Sequence, residues 1–187
     1  MKTGIFAVLS TLAAAAAVGD VKVATVDMLL LVRNHPGYES NKTLLKATES
    51  DYQKKLDKIK SDVESIQEEG KKLSEQARNP MLSAAAKQKL EKDLVDIQNR
   101  FLAGQQRLRA EAMRSQQDLQ DLEARLLKTA TAEIRKHVDA FAAANGYDFV
   151  FDSAAAVFAK KSFDVTDGIM RKMGVDPAKA RSRDESK

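Results

Sequence analysis

The sequence contains no cysteine and no tryptophan, and only 5% of its residues are aromatic. A chain without cysteine has no disulfides, so other interactions must hold its fold together. So low an aromatic content is far from the composition of a compact enzyme domain. Charged residues are abundant instead, at 31% of the chain, which is typical of long helices and coiled coils.

Neither sign of charge is in large excess, because the chain has 31 basic and 27 acidic side chains, which give a net charge of +4. Charges mixed in this way form no strongly basic face. We therefore expect no nucleic-acid partner.

Catalytic and cofactor motifs are missing as well. The two histidines, His35 and His137, have no neighbours at the spacing that zinc ligands use. The sequence has no glycine-rich phosphate loop and no nucleophile elbow. We expect no enzymatic activity, no cofactor, no metal and no small-molecule substrate.

Residues 1–19 have the composition of an export signal. A basic start at Lys2 precedes an apolar run, and small residues at its end offer cleavage near Ala17 or Gly19. The run is too short to span a bilayer as a stable helix. We interpret 1–19 as a cleaved signal peptide, with a buried core helix or a retained anchor as the alternatives.

A heptad pattern then runs to Arg78. Its apolar positions repeat every seven residues, with a second set four residues after the first: Leu45, Tyr52, Ile59, Ile66 and Leu73, then Leu56, Val63, Gly70 and Ala77. This spacing predicts a coiled-coil seam that one partner helix would satisfy.

The pattern stops at Asn79-Pro80, because the residue before a proline is pushed out of helical geometry. Ser83 is a candidate N-cap for a return helix, and Asn79 before Pro80 is the other candidate. The return helix has the same spacing, at Leu90, Leu94, Ile97, Phe101 and Leu108. Together the segments predict an antiparallel hairpin over 38–118 with its tip at 79–83.

Two details of the hairpin follow from the pattern. Folding about residue 81 places Leu45 near Gln116 and Gln117. The seam is weakest at Gly70, at Gly104 and in the polar stretch 109–118, where we expect the arm to bend.

Residues 20–37 and 119–173 predict a small body at the base of the hairpin. β-branched residues at 21–27 favour one strand, the alternation at 147–151 favours a second, and 156–160 are a candidate hairpin partner for it. Strands this short are unstable alone, so they must pair within the chain or between subunits. The candidate residues for an oligomerisation body are Val21, Val23, Val26, Phe149, Val150 and Phe151.

The predicted fold is mainly α with a small β body. A long antiparallel helical hairpin, or coiled-coil arm, projects from a short-stranded oligomerisation base. Asn145-Gly146 is expected to end the second helix. Residues 174–187 contain few apolar side chains and are predicted to be a disordered tail.

The tip of the hairpin carries a cluster of basic residues. Six basic side chains face two acidic ones, Glu75 and Glu91, and the six are Lys71, Lys72, Arg78, Lys87, Lys89 and Lys92. Such a cluster can attract lipopolysaccharide or another anionic lipid, with a strength that falls as salt rises. A merely solubilising surface is the alternative.

A weaker apolar stripe lies on the second helix. Val95, Leu102 and Met113 share one side of the helix, away from the Leu94-Ile97-Phe101 seam. On a projecting arm, such a stripe could hold unfolded protein segments loosely. Isolated apolar residues are also common on ordinary surfaces.

These segments resemble the Skp/OmpH family of periplasmic chaperones. The resemblance rests on Lys22-Val23-Ala24-Thr25-Val26-Asp27-Met28, on the long charged hairpin, and on Tyr147-Asp148-Phe149-Val150-Phe151-Asp152 before a short alanine-rich stretch. It spans about Val21 to Met173. The arms here are nearly balanced in charge, whereas the best-known relative is strongly basic.

The resemblance implies an ATP-independent holdase in the periplasm. Three subunits would share a β-barrel-like body, and their arms would enclose a cavity for unfolded outer-membrane proteins. A structural coiled-coil spacer or tether of the cell envelope is the alternative function.

Overall fold

The computed structural model describes residues 20–185, and the predicted signal peptide, 1–19, lies outside this range. The order of elements is β1 (Val23–Val26), α1 (Met28–Arg33), α2 (Tyr38–Ala77), α3 (Ala84–Asn145), β2 (Phe149–Asp152), α4 (Thr166–Lys172) and α5 (Pro177–Glu185), with two short 3₁₀ turns between β2 and α4. Two long helices and a two-stranded sheet confirm the prediction of a mainly α fold with a small β body.

The arm is an antiparallel pair of helices. α2 has 40 residues, which is about 60 Å at a rise of 1.5 Å per residue. Cross-helix bonds run in opposite directions along the two chains, from Glu69 with Arg100 to Tyr52 with Asp118. The most buried apolar side chains within 38–118 are the seam residues Ile59, Val63 and Ile97, as the heptads predict.

Local sequence signals fix the ends of these helices. Asp27 caps α1 by accepting a hydrogen bond from the backbone N–H of Leu30 at 2.8 Å. Ser83 caps α3 through the N–H of Ala86, which selects Ser83 over Asn79. Gly146 ends α3 in the left-handed region, at φ 64°, a conformation that suits glycine.

Two glycines let the arm helices approach closely. A Cβ added to Gly104 would lie 2.7 Å from Val63 Cγ2, and one added to Gly70 would lie 2.9 Å from Ile97 Cγ2. The arrangement is reciprocal, since each helix supplies one glycine and one β-branched side chain. Both helices continue unbroken through these positions, so the glycines have a packing role that the heptad pattern does not reveal.

The register of the hairpin differs from the prediction. If the register of the Val63 and Gly104 pair is continued toward the body, Leu45 falls opposite Leu122. In agreement, Leu45 lines a cleft with Leu126 and Leu127 and does not lie beside Gln116 and Gln117. The prediction was wrong because it centred the turn on residue 81, whereas α3 begins only at Ala84.

The boundary of the body was also placed too early at residue 119. The cleft that joins Leu45 to Leu126 shows that α3 is still paired with α2 well beyond residue 118. Farther along α3, Ala130 and Ile134 are 6% and 0% exposed. Ile134 belongs to the core of the body, so the body begins near residue 130.

The body is built on the sheet and four helices. β1 and β2 pair in parallel, with Val23 opposite Phe149 and Val26 opposite Asp152. One side of the sheet covers a core whose buried members are Val26, Leu30, Leu31, Ile134, Ile169, Met170, Met173 and Ala180. Val150 packs against this core, so Val26 and Val150 serve the subunit's own interior.

Two expectations about the body were wrong. Residues 156–160 form no strand with β2, because β2 pairs in parallel with β1 and leaves 156–160 exposed. Residues 177–185 of the predicted disordered tail form helix α5. Ala180 enters the core at 1% exposure, so the helix is stabilised by tertiary packing that its polar composition conceals.

The close approach of the helices predicts that Gly104→Ala destabilises the arm. At an exposed helical site, alanine is more stable than glycine by about 1 kcal/mol. Here the new methyl group meets Val63, whose branched side chain is stiff in a helix. We expect a net loss of about 1–3 kcal/mol in urea unfolding followed by circular dichroism.

Two variants control this measurement. Adding Val63→Ala to Gly104→Ala should recover part of the loss, because it removes the clash. Ala112→Gly, at an exposed position of α3, reports helix propensity alone and should cost about 1 kcal/mol. A Gly104→Ala chain more stable than the parent would contradict the close approach.

Candidate functional site

The predicted apolar stripe is exposed on α3. Val95, Leu102 and Met113 are 58%, 49% and 74% exposed. Leu127 is 52% exposed and lies 32 residues after Val95, which brings it within about 40° of the same helical direction. We call these four residues the α3 stripe.

Val95, Leu102 and Met113 lie on the side of α3 that faces away from α2, whereas Leu127, at the edge of the stripe, also lines the cleft with Leu45. Ile97 and Gly104 face α2, because each contacts that helix. At 3.6 residues per turn, both positions are about 160–180° around the helix from Val95. The seam therefore uses one side of α3 and leaves the stripe uncovered in the subunit.

α2 has no comparable surface. Among its large apolar side chains, only Leu44 is exposed, at 47%. The arm is thus asymmetric. The side of α3 that faces away from α2, here called the back of α3, carries apolar residues, whereas the corresponding side of α2 is polar. Leu127 was expected within the body, although its spacing from Met113 would have placed it on the stripe.

A polar layer interrupts the apolar seam near the middle of the arm. Tyr52 donates a hydrogen bond to Asp118 at 3.2 Å, and Lys55 pairs with Glu111. Burial, and then the hydrogen bond to Asp118, raise the pKa of the Tyr52 hydroxyl above its ordinary value. Ser115 is 3% exposed, and its Oγ has no hydrogen-bond partner among the described residues.

The predicted basic cluster lies exposed around the tip. All six of its members are exposed: Lys71, Lys72, Arg78, Lys87, Lys89 and Lys92. Met81, between the two helices, is 89% exposed. Contact of this tip with anionic lipid stays a prediction.

A second apolar surface lies on the body. Phe149 and Phe151 are 54% and 51% exposed on the outer side of β2, and their rings stack at a centroid distance of 6.0 Å. Beyond β2 the chain is extended at Ala156, and Val157 and Phe158 project into solvent. We call residues 156–163 the outer segment.

The outer segment and the sheet border an apolar cavity of about 370 Å³. Its walls include Val23, Phe151, Phe158 and Phe163. One edge of β1 pairs with β2, and its other edge bridges to Asp164. In the described part of the chain, no strand pairs with the free edge of β2.

His35 joins two elements of the fold. His35 Nε2 lies 2.9 Å from Glu133 Oε2, and His35 Nδ1 accepts a hydrogen bond from the N–H of Gly37. These contacts tie the start of α2 to α3. Within residues 20–185, no group of three potential metal-binding side chains was found.

Over the same range, no helix is both long and apolar enough to cross a bilayer. The architecture is that of a helical-arm protein. The apolar side chains of the seam are buried between α2 and α3. On the back of α3 and on one face of the body, apolar side chains stay exposed.

Comparison with protein families agrees with this architecture. The family model described as "Outer membrane protein (OmpH-like)" matches residues 22–173. The chain belongs to the OmpH-like family, as its resemblance to Skp/OmpH proteins predicts. This is a family of periplasmic chaperones. A search of curated proteins finds no significant match, so the assignment rests on the family model.

Ser115 generates a prediction about the arm. Its buried hydroxyl has lost water without gaining a partner, which costs roughly 1–3 kcal/mol. We expect Ser115→Ala to stabilise the arm by about 1 kcal/mol or more in urea unfolding. The matched control is Ser61→Ala on the exposed surface of α2, which gains helix propensity only, roughly 0.5 kcal/mol. Equal gains at the two sites would show that the Ser115 hydroxyl is not an unsatisfied group.

Proposed function

We propose that this protein is an ATP-independent periplasmic holdase that binds unfolded outer-membrane proteins. The observation that carries the proposal is the α3 stripe, an uncovered apolar line along the arm of an OmpH-like protein. The stripe is discontinuous, but each of its four side chains leaves apolar area in water that a bound chain could cover. An unfolded outer-membrane protein supplies apolar segments that fit such a line without a fixed geometry.

The spacing of the stripe favours many weak contacts over one tight contact. Its four side chains are spread over 32 residues of α3, or about 48 Å at 1.5 Å per residue. Burying one such side chain contributes about 1.5–3 kcal/mol at most. A client that touches several of them is held by high effective concentration and can still leave when the membrane buries the same segments.

We infer that the functional form is a homotrimer whose arms surround the client. The free edge of β2 and the outer segment, which is extended at Ala156 and Lys160, are complementary, since one strand edge can pair with an extended chain from another copy. Association would also cover Phe149, Phe151 and Phe158, which the subunit leaves in water. Pairing with segments of other copies would also add strands to the two-stranded sheet, which is too small to be stable alone.

Export by a cleaved signal peptide at 1–19 completes the proposal. It would deliver the mature chain to the compartment where unfolded outer-membrane proteins arrive. A spacer or tether of the envelope would need the arm as well, but it would make no use of the α3 stripe. Substitutions in the stripe therefore distinguish the two functions experimentally.

Replacing the α3 stripe should weaken the holdase activity. We expect the variant with Val95→Ser, Leu102→Ser, Met113→Ser and Leu127→Ser to suppress aggregation of a urea-diluted outer-membrane β-barrel at least about tenfold less effectively, because each apolar side chain that the client buries contributes about 1 kcal/mol or more. Light scattering at increasing ratios of chaperone to client measures the effect.

A matched pair tests which helix faces the client. Leu127→Ser and Leu44→Ser change residues of similar exposure, 52% and 47%, on α3 and α2 respectively. The first should reduce suppression and the second should not. Full activity of the fourfold variant, with the oligomer intact, would favour the spacer function.

The outer segment should control self-association. Phe158→Asp places a charge where a neighbouring copy would bury the ring, at a cost of several kcal/mol, and we expect a monomer in sedimentation at micromolar concentration. Met81→Asp is the control, because Met81 is similarly exposed but lies at the tip. A parent protein that sediments as a monomer, or a Phe158→Asp variant that remains a trimer, would overturn this interface.

A further inference from the structure

Helix α5 lies outside the family match, which ends at residue 173. It is nevertheless attached to the body at two adjacent residues. Ala180 is 1% exposed within the core, and Arg181 binds carboxylates near the start of α4. The rest of α5 is mostly charged.

Arg181 holds two aspartates at once. Its Nε and Nη2 donate to Asp167 Oδ1 at 3.0 and 2.7 Å, and Nη2 lies 3.6 Å from Asp164 Oδ2. The hydrogen bond to Asp167 raises the pKa of the guanidinium, which therefore stays charged. The guanidinium fork suits two carboxylates better than an ammonium group does.

Asp164 belongs to the junction where the chain returns to β1. Its carboxylate accepts hydrogen bonds from the N–H and the hydroxyl of Thr166. Thr166 Oγ1 in turn accepts from the N–H of Asp27. The N–H of Val165 donates to the carbonyl of Thr25 in β1 at 2.9 Å, so the backbone is fixed to the strand at this point.

The outer segment ends immediately before this junction. Its upstream end follows β2, which is held by the sheet, and its downstream end is Phe163, next to Asp164. All side chains from Ala156 to Phe163 are exposed. Within the subunit, the path of the segment is therefore determined mainly by its two anchored ends.

α5 also borders a cleft of about 540 Å³ beside the start of α2, with Lys179 and Arg183 on one wall and His35 and Glu39 on the other. The close polar contacts of Arg181 are with Asp164 and Asp167.

We propose that α5 is a clasp for the subunit interface and that Arg181 is its positioning residue. By holding Asp164 and Asp167, Arg181 fixes the downstream end of the outer segment, so that Val157 and Phe158 point toward a neighbouring copy. The role rests on the proposed self-association and adds to it a determinant outside the matched family region.

The test compares variants of the full mature chain by sedimentation at a series of concentrations. Arg181→Ala should weaken trimer formation by about tenfold, because each of the three subunits must then order on association an outer segment that is no longer held at its downstream end. Arg181→Lys should restore part of the loss, since it keeps the charge but not the fork. Arg171→Ala, an exposed residue of α4, should have no effect.

Two further measurements separate a clasp from a general loss of stability. The effect of Arg181→Ala should disappear in a chain that already carries Asp164→Asn and Asp167→Asn, and helix content by circular dichroism should not change. If the parent chain does not associate, the proposed trimer is wrong. If the parent associates and Arg181→Ala associates equally well, or loses helix content in parallel with association, only the clasp is wrong.

Discussion

The contact of Val63 with Gly104, and of Ile97 with Gly70, is the constraint on which the rest of the arm depends. Each glycine admits a branched side chain of the other helix to a distance that a Cβ would block. The two contacts fix one register for the hairpin, and that register determines which residues of α3 face inward. A shift by one residue would rotate α3 by about 100° and carry the apolar stripe toward the seam or the side of the arm.

Because of this register, some apolar side chains are buried within the subunit and others stay exposed to water. The seam buries Ile59, Val63 and Ile97 and needs no other subunit. The back of α3 and the outer side of the body sheet keep large apolar side chains in water. A holdase needs both kinds of surface, because an arm that collapsed on itself or on its neighbours would have nothing left to offer a client.

Local signals in the sequence were sufficient to predict the long helices and the residues at which the helices begin and end. The heptads predicted the seam, and Asp27, Ser83 and Gly146 marked helix ends as the structure has them. Contacts between residues far apart in the sequence were not predictable in this way. The register depends on two glycine contacts across the arm, and Val150 pairs with β1 in parallel although 156–160 looked like a nearer partner. α5 has almost no apolar pattern, and its position depends on Ala180 and Arg181.

The central claim is that the back of α3 faces the client, and thiol accessibility tests it most directly. Because the chain has no cysteine, Met113→Cys and Ser61→Cys each introduce a single reactive site, one on the α3 stripe and one on the exposed surface of α2. The rate of modification by a small maleimide is measured with and without an unfolded outer-membrane protein. The proposed function predicts that the client slows modification at position 113 several-fold and leaves position 61 unchanged. Equal protection at both positions, or none at 113, would contradict it.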